Sequence, residues 1–334
     1  MKEFNVAILG ATGAVGREML KILEERNFPV KELRLLASAR SVGKTLPFRG
    51  KEIAVREACP SEFEGMDLVL GAASNALAKE YAPHIVKAGA LFVDNSSAFR
   101  MDPDVPLVIP EINGEDAKKH HGIIANPNCS TIITLMAVNA VNALSPITSM
   151  VATTYQAVSG AGAAGPVELE TQTKALAEGK PAECSVFPYQ IAYNLLPQIG
   201  SFNEDGYTTE EMKMQNEGRK ILHLPDLTVT CTCVRVPVFR SHSISVTVRT
   251  ADKLTVEQVK NAVANAEGCV LADDPANKKY PMPLDTSDQD LVFVGRIRKD
   301  LTDEHGITLW CCGDQVRKGA ATNAVQIAMA ALGV

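Results

Sequence analysis

Short, continuously apolar runs alternate with amphipathic stretches through the first third of the chain. NVAILG, LRLLASA, MDLVLGAAS and ALFVDNSS are separated by the helical periods AVGREMLKILEERN and ALAKEYAPHIVKAG. Strands that are apolar throughout are typical of sheets covered on both faces, and their alternation with helices indicates parallel βα units. We therefore predict a parallel α/β sheet. PLVIPEING and GIIANPNCS extend the strand series before a helix over TIITLMAVNAVNAL.

From about residue 146 the pattern changes to longer strands in which apolar and polar residues alternate. These strands are ITSMVATTYQAV, TCTCVRVPV, SISVTVRT, DLVFVGRIRKD and GITLWCCGD. Such alternation predicts a largely antiparallel sheet with one covered face. Helices are predicted at PVELETQTKALAEG, TTEEMKMQNEGRKIL and TVEQVKNAVANA. We expect the last apolar helix, GAATNAVQIAMAALG, to pack on the first domain.

Composition excludes several classes of protein. The net charge is −6, and Lys and Arg are not clustered, so we expect no nucleic-acid partner. No window approaches the ~20 apolar residues of a membrane span, and the N-terminus shows no cationic leader. We therefore expect a cytoplasmic protein without a membrane partner. The 8 Cys lack the spacing of a disulfide framework, and neither they nor the 6 His show metal-ligand spacing, so we expect no metal.

The sequence GATGAVG follows the first predicted strand directly and opens a helix. Its glycines let the backbone turn tightly and approach a pyrophosphate, and the helix N-terminus supplies N–H groups and a positive dipole end. The GxxGxxG spacing departs from the commoner GxGxxG, so an ordinary strand-to-helix turn is the alternative. Its place in the first βαβ unit favours a dinucleotide site. The residues assigned to that site are Gly10, Thr12, Gly13, Ala14, Val15 and Gly16.

The end of the second strand predicts which dinucleotide binds. NAD-preferring sites usually carry an Asp or Glu there for the ribose 2′-OH, whereas this chain has ASARSVGK. Arg40 can bind a 2′-phosphate through its planar guanidinium, with hydroxyls from Ser38 and Ser41 and added charge from Lys44. The sequence therefore predicts NADP. An ordinary solvated basic loop is the alternative.

One cysteine, Cys129, lies in NPNCST at the start of a predicted helix. The helix dipole favours a thiolate at that position, and the first-turn N–H groups can hold an oxyanion that forms on an attacked carbonyl. We predict that Cys129 is a nucleophile. A buried structural cysteine is the alternative, and it is the interpretation we favour for every other cysteine.

A thiol nucleophile needs an acid/base partner, and the run RVPVFRSHS supplies His242. The unperturbed pKa of histidine, about 6.5, suits general acid and base catalysis. A lone histidine between strands is more often structural. The combination of a helix-start cysteine, an arginine-rich neighbourhood and a nucleotide fold favours a catalytic role.

A series of motifs runs in one order from the N-terminus to the last helix. They are GATGAVG, LASARSVGK, DNSSAFR, NPNCST, TYQAVSGAG, RVPVFRSHS and GAATNAVQIA. Together they resemble the aspartate-β-semialdehyde dehydrogenase family over essentially the whole chain. The resemblance implies oxidation of L-aspartate 4-semialdehyde with NADP⁺ and phosphate to L-4-aspartyl phosphate. In cells the reverse reaction would feed lysine, diaminopimelate, threonine and methionine synthesis, and the protein would be a homodimer.

The resemblance also implies roles for single residues. Cys129 would be the nucleophile, His242 the acid/base and Gln156 the group that orients the substrate. Arg235 would bind the substrate α-carboxylate bidentately, and Glu217 would meet its α-ammonium.

Further positions would hold phosphate and cofactor. Lys220, Arg100, Asn128 and Ser97 would bind the phosphate, and Gly160 and Asn323 would contact the nicotinamide half of the cofactor. For Lys220 and its neighbour Glu217 a solvated helix face is the alternative, because i, i+3 charge pairs are common on such faces.

The predicted architecture has two domains, as the 334-residue length favours. Residues 1–127 with 318–334 would form a Rossmann-type dinucleotide-binding domain. Residues 128–317 would form an α+β catalytic and dimerisation domain with a largely antiparallel sheet. Segment 181–206 is too rich in Pro, Gly and aromatic residues for a regular element, and we expect a dimer contact or a lid.

Three other functions compete with this interpretation. N-acetyl-γ-glutamyl-phosphate reductase has the same fold, the same cofactor and a thioester mechanism, but its nucleophile motif is PGCY-like. Glyceraldehyde-3-phosphate dehydrogenase is more distant, with an SCTT-like motif and typically NAD. A redox-sensing NADP-binding protein with a reactive Cys129 would not need Arg235, Glu217 and Gln156 together.

Overall fold

The structure, a computed structural model that describes residues 2–334, divides into two compact units. Unit 1 comprises the chain up to Asn128 together with Ala320–Val334, and unit 2 comprises Cys129–Gly319. No helix in the described part of the chain is both long and apolar enough to cross a membrane. Among the same residues, no group of three or more His, Cys, Asp or Glu side chains is placed to hold a metal ion.

Unit 1 is built around a single sheet. In chain order its elements before Asn128 are β1 (Phe4–Leu9), α1 (Ala14–Glu25), β2 (Val30–Ala37), β3 (Thr45–Phe48), β4 (Lys51–Glu57), β5 (Leu68–Gly71), α2 (Asn75–Lys87), β6 (Leu91–Asp94), α3 (Pro110–Asn113) and β7 (Ile123–Ala125). Within residues 2–334 they form a seven-stranded sheet in the order β3-β4-β2-β1-β5-β6-β7. All neighbours are parallel except β3 and β4, which confirms the predicted parallel α/β sheet.

The apolar run of β1 is explained by burial on both faces of the sheet. Val6 and Ile8 belong to one core cluster, while Ala7 and Leu9 belong to another on the opposite face. A strand in such a position needs apolar side chains at every residue rather than at alternate ones. The carboxyl end of β1 is thereby fixed in the middle of the sheet, where the glycine-rich loop leaves it.

Two local expectations about unit 1 are wrong or incomplete. PLVIPEING does not extend the strand series: Leu107 makes an isolated bridge to Ala125, and Pro110 begins the short helix α3. Proline has no N–H for a sheet ladder and suits the first turn of a helix. The β3–β4 hairpin was not predicted. Its turn at Arg49 and Gly50 has positive φ at both residues, as tight hairpin turns require.

Unit 2 contains the second sheet. Its elements are α4 (Cys129–Asn142), β8 (Ile147–Gln156), α5 (Ala164–Ala177), α6 (Thr209–Ile221), β9 (Thr228–Arg235), β10 (His242–Thr250), α7 (Val256–Asn265), β11 (Cys269–Leu271), α8 (Pro283–Thr286), β12 (Val292–Lys299) and β13 (Gly306–Gly313). The described strands form a six-stranded sheet in the order β11-β12-β13-β10-β8-β9. Its three central pairings are antiparallel and its two outer pairings are parallel, which confirms the largely antiparallel prediction.

The last helix, α9 (Thr322–Leu332), belongs to unit 1. It contacts α1, and Ala324, Val325, Ile327 and Ala328 are fully buried in the core of that unit. The strongly apolar sequence of this helix therefore reflects burial in the sheet-and-helix core at the end of the chain.

Candidate active site

The glycine-rich loop of unit 1 joins β1 to helix α1. Gly10 has φ of +87°, and a Cβ built on it would lie 2.4 Å from the carbonyl oxygen of Ala72, so only glycine fits. Gly13 stands before the helix and donates its N–H to the carbonyl of Gly10 at 3.1 Å. Ala14 begins α1, and a Cβ on Gly16 would lie 2.3 Å from the Gly10 oxygen. This bare backbone at a helix N-terminus is a cradle suited to a pyrophosphate.

The loop after β2 lies against the glycine-rich loop. The hydroxyls of Thr12 and Ser41 are 3.3 Å apart, which joins the two loops directly. Arg40 and Ser38 are exposed beside them, at the end of the strand where a ribose 2′ substituent is held in dinucleotide sites. Val15 packs against the core of unit 1, so it supports the first turn of α1. The residues present fit an adenosine 2′-phosphate, because the loop offers a guanidinium and hydroxyls.

A chain of buried amides connects the strand ends of unit 1 to α9. Asn323 donates to the Val108 carbonyl at 2.9 Å and to Oδ1 of Asn126 at 2.7 Å, and Asn126 donates to Oδ1 of Asn95 at 2.5 Å. Arg100 is buried beside this chain, donating to the carbonyls of Asn126 at 2.9 Å and Asn95 at 3.0 Å. The motifs DNSSAFR, NPNCST and GAATNAVQIA therefore meet in unit 1.

The other two phosphate candidates of unit 1 differ in exposure. Asn128 is buried, whereas Ser97 is exposed and is hydrogen-bonded to Asn75, the first residue of helix α2. Asn75 holds Ser97 by donating from Nδ2 to its hydroxyl at 2.8 Å and accepting its backbone N–H at 3.0 Å. The hydroxyl is thus oriented by a neighbouring side chain rather than left to rotate.

In unit 2, Cys129 and His242 form a close pair. Cys129 is the first residue of α4, and its Sγ lies 3.5 Å from Nε2 of His242, the first residue of β10. The helix N-terminus favours negative charge on the sulfur. The structure thus brings together two side chains that are 113 positions apart in sequence, in the arrangement a thiol nucleophile requires.

The protonation of His242 is set by its surroundings. Its Nδ1 accepts the backbone N–H of Ala157 at 3.1 Å, so the hydrogen of the neutral ring is on Nε2, the nitrogen beside Cys129. Burial lowers the pKa of His242 to about 3; the nearby Arg235 guanidinium contributes to this shift and Glu210 opposes it. His242 is therefore neutral near pH 7 and presents Nε2–H to the sulfur.

Arg235 is buried close to the same pair. Its Nη1 donates to the carbonyl of Ala157 at 2.7 Å, which orients the guanidinium. Gly160 lies against this group: a Cβ there would lie 2.7 Å from Nη1 of Arg235 and 3.1 Å from Cε1 of His242. The absence of a Cβ at Gly160 therefore leaves room for the side chains of Arg235 and His242.

Gln156 is held by two neighbours that the sequence did not single out. Thr154 donates its hydroxyl to Oε1 of Gln156 at 2.9 Å, and Nε2 of Gln156 donates to Glu210 at 3.2 Å. Lys213 balances the Glu210 carboxylate at 2.8 Å. The amide nitrogen of Gln156 also lies 3.5 Å from Nε2 of His242. Thr154 lies two positions before Gln156 on β8, so both side chains are on the covered face of the strand. The alternation of buried residues along this strand was the sequence signal that could have identified Thr154.

Glu217 and Lys220 both lie on α6. Glu217 is buried, with 1% of its surface exposed, and Lys220 is half-buried. Burial of the carboxylate excludes the solvated helix face as an account of Glu217, because a charged group is rarely buried without a role or partner.

Gly319 is a further residue of the site that the sequence analysis did not identify. A Cβ at this position would lie 3.0 Å from Cβ of Cys129.

Two family models match most of the chain. The family model described as "Semialdehyde dehydrogenase, NAD binding domain" matches residues 5–120, and the model described as "Semialdehyde dehydrogenase, dimerisation domain" matches residues 139–318. The aspartate-semialdehyde dehydrogenase of Aquifex aeolicus (strain VF5) is 52% identical over 329 residues, covering 97% of each chain. That of Synechocystis sp. is 51% identical over 323 residues, covering 97% of this chain and 96% of the relative.

A solved structure is similar over the full length. The crystal structure of aspartate semialdehyde dehydrogenase II from Vibrio cholerae, complexed with ASA, has a TM-score of 0.97 and 46% sequence identity. The match covers 100% of this chain and 99% of that chain.

Proposed function

The chain belongs to the aspartate-semialdehyde dehydrogenase family, and we propose that it acts through a thioester on Cys129. The proposed reaction converts L-aspartate 4-semialdehyde, hydrogen phosphate and NADP⁺ into L-4-aspartyl phosphate, NADPH and a proton. Run in reverse, it would supply the lysine, diaminopimelate, threonine and methionine pathways. The observation that carries the proposal is the 3.5 Å approach of Cys129 Sγ to His242 Nε2 at the start of α4.

The chemistry proposed for Cys129 begins when its partly exposed thiol releases its proton to solvent, which the positive end of helix α4 favours, and the thiolate attacks the aldehyde carbon. A C–S bond forms, and the carbonyl π electrons move onto oxygen to give a thiohemiacetal alkoxide. Bound NADP⁺ would accept the hydride whose departure converts this adduct into the thioester. Phosphate oxygen then attacks the thioester carbon, the C–S bond breaks, and the electron pair returns to Cys129 as thiolate.

We propose that His242 stabilises charge in this sequence through Nε2–H. A neutral ring with its hydrogen on Nε2 can donate a hydrogen bond to the thiolate or to the alkoxide. Such an electrostatic role needs no imidazolium, which the low pKa of His242 disfavours. The acid/base role that the sequence predicts for His242 stays a prediction beside this proposed hydrogen-bond role.

Substrate recognition is assigned to residues with matching charge. Arg235 would bind the α-carboxylate, and its bond to the Ala157 carbonyl supports a fixed orientation. Glu217 would meet the α-ammonium, and Gln156 would orient the aldehyde end. We propose that phosphate is bound by Ser97, Arg100, Asn128 and Lys220.

The nucleophile is tested by the variant Cys129→Ser. We expect it to lose nearly all NADPH formation with aspartate semialdehyde and phosphate while still binding NADP, because the weaker oxygen nucleophile does not form the acyl intermediate at a useful rate. The wild type should require phosphate. Substantial turnover by Cys129→Ser would contradict the thioester route. Wild-type activity with N-acetylglutamate semialdehyde instead would favour the reductase alternative, and no turnover of either aldehyde would favour the redox sensor.

A nicotinamide dinucleotide is the cofactor, and we propose that it is NADP. Support comes from Arg40, Ser38 and Ser41 at the end of β2, where no carboxylate stands to hold a ribose 2′-OH. Arg40→Ala should raise the KM for NADP by about tenfold or more and leave the KM for NAD nearly unchanged, because only NADP carries the 2′-phosphate. Steady-state kinetics with both cofactors measure this. An unchanged ratio of the two KM values would contradict the assignment.

We also propose a homodimer. Support comes from the outward face of the unit 2 sheet, where Val151 is exposed on β8 and the rings of Tyr155 and Trp310 lie 5.4 Å apart. On segment 181–206, Tyr189 and Tyr193 are exposed as well. A cytoplasmic location, and the lack of nucleic-acid and membrane partners, stay predictions of the sequence.

A further inference from the structure

Segment 181–206 has little regular structure, yet helix α5 holds its first half closely. The carboxylate of Glu168 is buried, with 6% of the residue exposed. It accepts the backbone N–H of Ser185 at 2.9 Å, the Ser185 hydroxyl at 2.7 Å, the N–H of Val186 and the N–H of Phe187 at 3.2 Å. Three successive backbone N–H groups of the segment have no strand partner, and the Glu168 carboxylate accepts their hydrogen bonds instead.

Gln172, one helical turn after Glu168, holds the next part of the segment. Its Oε1 accepts the N–H groups of Ile191 at 2.9 Å and Ala192 at 3.1 Å. Its Nε2 donates to the carbonyl of Glu183 at 2.9 Å and to Glu168 at 3.3 Å. The two side chains form one connected set of acceptors and donors on a single face of α5.

The segment held in this way contacts Arg235. The Phe187 ring, whose N–H Glu168 accepts, lies 6.0 Å from the Arg235 guanidinium carbon. Leu196 pairs with Arg235 through both backbone groups, at 2.8 and 3.0 Å. Phe187 and Leu196 also belong to a small core cluster with Val158 and Leu169. The segment therefore contacts both the side chain and the backbone of Arg235.

We infer that Glu168 is a positioning residue for the substrate α-carboxylate, acting through Phe187 and the segment 185–196 on the Arg235 guanidinium. The inference rests on the proposed role of Arg235. Glu168 holds the segment that flanks Arg235, so its effect belongs to substrate binding rather than to the chemical step. Loss of its charge weakens the bonds to Ser185, Val186 and Phe187, and the ring moves away from the guanidinium that it flanks.

The decisive variant is Glu168→Gln, compared with Glu170→Gln on the same helix. Glu170 is exposed and pairs with Lys174 at 2.5 Å, so it controls for removing one charge from α5. We expect Glu168→Gln to raise the KM for aspartate semialdehyde by about 5- to 10-fold with kcat within about twofold. A loss of binding shared by ground state and transition state has this signature. Glu170→Gln should leave both constants unchanged.

A double-mutant cycle separates positioning from a general structural effect. Arg235→Lys removes the bidentate guanidinium, so adding Glu168→Gln to it should raise KM by less than about twofold further. Phe187→Leu keeps the site apolar but removes the ring, and it should raise KM in the same direction. It also carries the test if Glu168→Gln does not fold.

The results that would contradict the proposed function differ from those that would contradict only the inference about Glu168. A wild type that does not oxidise aspartate semialdehyde overturns the proposed function and the inference that rests on it. An active wild type with an unchanged KM in Glu168→Gln, or with fully additive effects in the double variant, overturns the inference alone. A lower melting temperature with unchanged kinetics likewise assigns Glu168 to stability only.

Discussion

At the scale of single residues, the bond from the Ala157 N–H to Nδ1 of His242 has the largest chemical consequence. It fixes the tautomer, and complete burial keeps the ring neutral. A neutral ring with Nε2–H beside the sulfur favours a hydrogen-bonded Cys129–His242 pair in the free protein. The ring serves Cys129 as a polar donor, in the way that neutral imidazoles stabilise developing oxyanions elsewhere.

The first prediction concerns this tautomer. In ¹⁵N NMR spectra, His242 should show an Nε2–H, Nδ1-unprotonated ring that does not titrate between pH 5 and 8, because its pKa is about 3. An unfolded histidine takes up a proton near pH 6.5, so folding stability should fall as pH drops from about 6.5 towards 3 and stay level above 6.5.

The variant His242→Gln provides the control, since glutamine does not titrate. The wild type should lose about 1–2 kcal/mol more of its unfolding free energy than His242→Gln between pH 7.5 and pH 5. A ring that titrates near pH 6.5 or carries its hydrogen on Nδ1 would refute the donor role.

At the scale of elements, the connection from β1 to α1 depends on close backbone contact. Gly10 and Gly16 meet with no room for a side chain, and this contact brings the helix N-terminus to the end of the central strand. The same feature that permits tight packing thus creates the anion-binding cradle. Cofactor binding and the stability of unit 1 are coupled through these two positions.

The prediction at this scale compares two alanine substitutions. Gly16→Ala should lower the stability of unit 1 by about 1–3 kcal/mol, because its Cβ would lie 2.3 Å from the Gly10 oxygen. Gly13→Ala should have a much smaller effect, since its Cβ would lie 3.4 Å from the same atom. Denaturant melts measure both. Equal losses in the two variants would show that the close approach does not limit packing.

At the scale of the whole molecule, the unit 2 sheet has one face covered by helices and one face turned outward. On β8, Met150 and Ala152 are buried among the covering elements, whereas Val151 between them is 52% exposed. An apolar residue in that position, on the same strand face as Tyr155 of the Tyr155–Trp310 ring pair, favours a protein partner over solvent. A second copy of the chain is the partner we propose.

Light scattering on a sizing column tests that assembly. The wild type should elute with twice the 35.8 kDa chain mass, and Val151→Glu should shift the equilibrium towards the monomer, because a carboxylate at this position would be buried without a partner. Thr148→Glu introduces the same charge at an exposed position near the start of β8, three residues from Val151 and therefore not on its face of the strand, and serves as the control. A wild type that is monomeric at micromolar concentration would contradict the homodimer.

Local patterns were sufficient for most of the fold. The period of apolar positions predicted the parallel sheet, the largely antiparallel sheet and helices α5, α6 and α7, because burial on one or both faces dictates those periods. The patterns failed at Pro110, where a short apolar run ends in a helix, and at the Arg49–Gly50 turn, where strand β3 has only 4 residues. Both failures occurred where few residues carry the signal.

The sequence by itself determined the chemical types at the site: a cysteine at a helix start, a histidine and arginine beside strand ends, and glycines where the backbone must come close. Those assignments follow from local geometry, which neighbouring residues dictate. Only the tertiary structure decided that Nδ1 of His242 accepts a backbone N–H and that Glu210 holds Gln156. The anchoring of segment 185–196 by Glu168 is equally a tertiary result. Each depends on contacts between distant positions, and burial there sets protonation and orientation in ways that no local pattern encodes.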